Sequence, residues 1–168
     1  MSRPLLLRPK ISANGTIFHW TNAAKALTAI KRNKLAARRW EHFIESEDRM
    51  IAGTSWSQDP RRWQHVNPGY TVCFTANSAA IPNKQFPING DRVYHQTMFL
   101  RGLRSEEQYK VYAPEKISEI FIEGTILNLL NAVSEIKMTE YDDEIACHLQ
   151  EMGTFEATDR SERVWLRN

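Results

Sequence analysis

"IFHWTNAAKALTAI", residues 17–30, changes its period halfway along. Thr16 to Trp20 is short, apolar and aromatic, and Asn14-Gly15 before it is a turn signal, so this run reads as a strand. Thr21 or Asn22 then offers an N-cap side chain. Ala23, Ala24, Leu27 and Ile30 recur at helical spacing, which predicts an amphipathic helix ending near Asn33. A strand that runs directly into a capped helix makes the fold a mixture of sheet and helix. His19 sits at the junction and admits two readings, a packed core histidine or a side chain that meets a ligand.

Outward from this stretch, "MIAGTSWS" (50–57) reads as a second strand, and Asp59-Pro60 after it as a helix start leading into "RRWQH". "YTVCFTAN" (70–77) has the strongest strand composition in the chain. Residues 78–92 hold Pro82, Pro87 and Gly90 and read as a long surface loop. "QYKVYA" (108–113) and "ISEIFIEG" (117–124) read as strands. Beyond Gly124 the apolar spacing of Ile126, Leu127, Leu129, Leu130, Val133 and Ile136 predicts a helix, and Ile145, Cys147, Leu149 and Met152 predict another. Val164, Trp165 and Leu166 suggest a late strand. Leu35 to Glu45 admits a second helix or an irregular basic segment.

The totals set bounds. A chain of 168 residues, 42% hydrophobic and 25% charged, suits one domain, or one domain with a helical extension. The net charge of +2 is too small to argue for nucleic acid by itself. Basic residues crowd at Lys31, Arg32, Lys34, Arg38 and Arg39, then Arg61 and Arg62, while acids collect at Glu140, Asp142, Asp143 and Glu144. Solvated faces are the simplest account of such runs. Cys73 and Cys147 form no CxxC and read as reduced core residues. His42, His65, His95 and His148 show no ligand spacing, so no metal is expected. No GxGxxG, P-loop or GxSxG occurs. With no signal-peptide pattern and no apolar run near the roughly 20 residues of a membrane span, the expectation is a cytoplasmic protein.

Four motifs stand in order: "FHWT", "GTSWSQDP", "YTVCFTAN" and "RSEEQYKVYAPEKISEIFIEG". This order resembles the ADP-ribosyltransferase superfamily. Its members typically carry a His-x-Thr/Ser or an Arg at the end of a first strand, a Gly-x-Ser-x-Ser/Thr strand, and a glutamate near the start of a later strand. The resemblance covers residues 16–123. It implies an α+β fold of two small packed antiparallel sheets around an NAD cleft, with flanking helices and a C-terminal helical segment. The organisation expected is an N-terminal arm at 1–15, the core at 16–123, and a helical extension at 124–168 packed on the core.

The resemblance also implies a chemistry, transfer of ADP-ribose from NAD to a protein or nucleic-acid acceptor with release of nicotinamide. NAD is then a substrate. The reaction passes through an oxocarbenium-like state that rewards placed negative charge and exclusion of water. His19 and Thr21 would hydrogen-bond ribose hydroxyls. Ser55 and Ser57 share one strand face, because side chains repeat every second residue, and would hold the nicotinamide ribose. Trp56 is a candidate to stack on nicotinamide, although alternation points it away from the two serines, which favours packing. Trp20, Trp40 and Trp63 read as core fillers. For the carboxylate, Glu106 and Glu107 in "SEEQYKV" fit best, with Glu119 and Glu123 a second pair whose plainer reading is solvent-facing strand charge. Gln108 aligns with the usual second glutamate and supplies no negative charge. That departure keeps open a degenerate module that grips NAD, ADP-ribose or a partner protein. A third reading is a non-catalytic nucleic-acid binder using the basic segment 31–62, which in the enzyme would steer an acidic acceptor.

Overall fold

The computed structural model describes residues 15–37, 42–44, 47–60, 68–87, 93–95 and 119–168. In chain order these form β1 (Thr16–Thr21), α1 (Ala23–Arg32), β2 (Lys34–Leu35), β3 (His42–Ile44), β4 (Arg49–Ile51), β5 (Gly53–Ser57) and β6 (Val72–Asn77). A 3-10 turn at Ser78–Ala80 follows, then β7 (Gln85–Pro87), β8 (Val93–His95), β9 (Glu119–Glu123) and β10 (Ile126–Leu127). The chain closes with α2 (Leu129–Ala132), β11 (Val133–Met138), α3 (Asp143–Met152), β12 (Phe155–Ala157) and β13 (Val164–Arg167). The fold is mixed helix and strand, α+β in class. Its residues divide into two compact units, each assembled from separate segments of chain.

One unit takes its described residues from 36–56 and 83–125. Here β9 lies between β5 and β7, and β3 lies between β4 and β8 in a separate sheet. Phe86 of β7 stands opposite Phe121 of β9, and both pack with Ile51. The short strand β7 corrects the expectation of a surface loop at 78–92. Phe86 is buried despite Pro82 and Pro87 around it, and Pro87 ends the strand, where a missing N–H costs little. Gly53 decides how closely β5 meets β9. A Cβ there would lie 2.0 Å from the carbonyl oxygen of Ile122, so only glycine permits the approach. The Gly124 N–H donates to the Ala52 carbonyl at 2.7 Å, and Asn83 Nδ2 donates to the carbonyls of Glu123 and Thr125. Arg49 donates to both carboxylate oxygens of Glu123 at 3.0 Å, and Glu47 accepts from Arg49 and Lys84. The Lys84 hydrogen bond and nearby cations hold Glu47 below the usual carboxylate range.

The other unit takes its described residues from 15–35, 57–60, 68–82 and 126–168. Its strands run in the order β12, β13, β11, β6, β1, each antiparallel to its neighbour. β1 and β6 pair along their whole length, from Thr16 opposite Asn77 to Thr21 opposite Val72. Strand β6 is buried on both faces, as its near-continuous apolar run requires. The Asn22 side chain caps α1 by accepting from the Lys25 N–H at 2.8 Å. Asn33 ends that helix in the left-handed conformation, and its Oδ1 accepts from the Leu130 N–H. Asp142 caps α3 in the same way as Asn22, and Gly153 takes the left-handed closing position.

Two expectations are corrected in this unit. The helix predicted over 126–136 breaks up into β10, the single turn α2 and the first part of β11. A bulge between Val133 and Glu135 shifts the register of β11 on β6. That extra residue makes the spacing of Leu129, Leu130, Val133 and Ile136 imitate a helical stripe. The 124–168 segment therefore carries four strands besides its helices. Cys147, expected in the core, is exposed on α3, where Ile145, Ala146 and Leu149 face inward. Cys73 is buried opposite Trp20, and burial pushes its thiol up to about 12.

Two outcomes follow from this packing. Gly53→Ala is expected to cost about 1–3 kcal/mol in urea unfolding, the range for overpacking a tight contact. An unchanged midpoint would contradict the close approach. Folded Cys73 keeps its proton where an unfolded thiol, at about 9, releases it. The corresponding stability is complete below pH 9 and is lost as pH rises toward about 12. Between those values the wild-type chain should lose stability more steeply than Cys73→Ala, as measured by urea midpoints at each pH.

Candidate functional site

Alternation along β1 separates its side chains into two sets. Ile17, His19 and Thr21 share one face, and Phe18 and Trp20 share the other. His19 stands opposite Phe74 and is 7% exposed, while Thr21 is 4% exposed. Both are thus enclosed in the second-described unit, on the strand that leads into α1. The Trp20 indole N–H donates to the Pro60 carbonyl at 2.6 Å, which ties β1 to the "SQDP" turn. Ser57 pairs with Phe18 and is fully buried. Its Oγ accepts from the Asp59 N–H at 2.9 Å, a local turn contact of the kind serine favours. The "RRWQH" helix expected after Pro60 lies outside the described residues.

The remaining candidates belong to the other unit. Trp56 is fully buried, and its indole N–H donates to Thr54 Oγ1 at 2.9 Å. Thr54 and Trp56 therefore occupy one face of β5 and Ser55 the other. Ser55 is 6% exposed. Trp56 is a core residue, as its alternation with the serines suggests. Thr54, its hydrogen-bond partner, carried no signal in the sequence beyond being a hydroxyl two residues away.

Glu119 opens β9 and is only 3% exposed. The solvent-facing alternative for this residue does not hold. All four residues from Glu119 to Ile122 are buried, so both faces of β9 are covered there. Glu123 is the half-buried end of the pair and is engaged by Arg49. The Gly124–Ala52 hydrogen bond brings the end of β9 to the beginning of β5. Glu119, at the other end of β9, lies away from that junction. Among the described residues Glu119 is the buried carboxylate. Burial of an ionisable group is costly, so such a residue marks a candidate site. Glu106, Glu107 and Gln108 lie outside the described residues, as do Trp40 and Trp63.

Among the described residues, no three metal-ligating side chains cluster, and no helix is long and apolar enough to cross a membrane. No family model matches the chain, and no solved structure matches it. The chain is similar to the DNA-directed RNA polymerase subunit beta'' of Oltmannsiellopsis viridis, with 25% identity over 156 residues. The match covers 80% of this chain and 8% of that subunit, so the chain spans less than a tenth of its relative's length.

Proposed function

We propose that the chain binds NAD and transfers its ADP-ribosyl group to a protein or nucleic-acid acceptor, releasing nicotinamide. The observation that carries this reading is the buried Glu119 on the strand beside β5, which bears Ser55. A carboxylate held away from water stabilises a developing ribose cation far better than an exposed one. In the reaction, the bond between ribose C1′ and the nicotinamide nitrogen breaks, and nicotinamide leaves with the electron pair. The acceptor's nucleophilic atom then bonds to C1′ and gives up its proton. Glu119 supplies negative charge to the cation and draws the acceptor's proton. Ser55 offers a hydroxyl to the sugar. The resemblance implies cofactor contacts for His19, Thr21 and Ser57, which belong to the other unit. Trp56, held by Thr54, supports β5 by packing.

The degenerate reading, binding of NAD or ADP-ribose without turnover, is favoured by Gln108 at the place of an expected glutamate. The same experiment separates the two. The full chain is incubated with NAD labelled in its adenylate part and a cell extract, and both transferred label and free nicotinamide are measured. Wild type should transfer label, and Glu119→Gln should lower the rate by about a hundredfold or more while still binding NAD. NAD binding with neither transfer nor nicotinamide release would establish the binding module. Equal rates in wild type and Glu119→Gln would remove Glu119 from the chemistry.

A further inference from the structure

Strand β5 carries a polar tie between the two side chains that flank Ser55. Thr54 and Trp56 stand on the face opposite Ser55, because side chains alternate along a strand. The Trp56 indole N–H donates to Thr54 Oγ1 at 2.9 Å, so the bond spans the Ser55 backbone. Both side chains are buried, and the indole is fully so. A buried hydroxyl and a buried indole N–H each cost free energy unless bonded, and an apolar pair of the same shape would pack at least as well. What the polar pair adds is direction. The branched Thr54 side chain has few rotamers, which fixes where its Oγ1 sits, and the enclosed indole must lie where that oxygen can accept its proton. Just before Thr54, Gly53 lies against the Ile122 carbonyl with no room for a Cβ. Ser55 is thus held between a close backbone contact two residues earlier and a side-chain bond that bridges it.

We propose that Thr54 is a positioning residue. By holding the Trp56 indole, its hydroxyl fixes the pleat of β5 around Ser55 and so the direction of the Ser55 hydroxyl toward the sugar of NAD. This inference rests on the NAD reading, in which Ser55 contacts that sugar. Thr54 acts only through Ser55 and meets no ligand itself. Without the Thr54 hydroxyl the indole loses this acceptor in a dry surrounding, and the ring shifts to recover a partner. Because Trp56 adjoins Ser55, that shift turns the strand where the serine must point.

The test is calorimetric titration of NAD into the full chain, as wild type, Thr54→Val, Thr54→Ser, Ser55→Ala and Thr54→Val/Ser55→Ala. Thermal melts check that each variant folds. Thr54→Val should weaken NAD binding about fivefold, the effect of misdirecting one hydrogen bond. Thr54→Ser keeps an Oγ for the indole and should bind within about twofold of wild type. The double variant should bind as Ser55→Ala does, because the two residues act on one contact and their effects do not add. Trp56→Phe removes the N–H and leaves the hydroxyl, so it supplies the same cycle with Ser55→Ala should Thr54→Val fail to fold. Unchanged binding in Thr54→Val, no rescue by Thr54→Ser, or effects that add in the double variant would overturn the positioning role and leave the NAD reading standing. A wild type that binds no NAD, or binds it no better than Ser55→Ala, would overturn both.

Discussion

The carbonyl of Ile122 stands where the first side-chain atom of any residue but glycine would lie at position 53. That contact sets β5 close against β9, and most of the chemistry proposed for this unit rests on it. With Gly124 bonded to Ala52, the strands meet head to tail, and Glu119 stands at the far end of β9. The Asn83 amide, bonded to the carbonyls of Glu123 and Thr125, keeps the turn after β9 from opening. Arg49 holds Glu123 at the surface, which leaves Glu119 as the enclosed member of the pair.

In the other unit the equivalent constraint is the unbroken pairing of β1 with β6. Six consecutive register positions leave no freedom over which face His19 and Thr21 occupy. The Asn22 cap then starts α1 directly after Thr21, so the two polar side chains stand at the junction of strand and helix. The Trp20 indole fastens the following turn by its bond to Pro60. Polar burial here is placed by pairing with a strand distant in the chain and by the local Asn22 cap.

Much of this was legible in the sequence. β1, α1 with its Asn22 and Asn33 ends, β6, α3 and β13 all carry strong periodicity or clear caps, and local physics suffices for each. The break between Ile51 and Gly53, the buried Phe86 between two prolines, and the bulge in β11 were not legible. Each depends on a partner strand distant in the chain. The same limit applies to the site. Alternation correctly set Trp56 against Ser55, since that needs only the strand itself. Whether Glu119 faced water turned on what covers the faces of β9, and no pattern within "SEIFIEG" reports it.

The central claim is that the buried Glu119 carboxylate and Ser55 hydroxyl serve a dinucleotide. Calorimetric titration of NAD into the full chain tests it most directly, with no acceptor needed. The account predicts saturable binding at one site per chain, weakened about tenfold by Ser55→Ala, the loss of one useful hydrogen bond. Absence of heat up to millimolar NAD, or affinity untouched by Ser55→Ala, would contradict it.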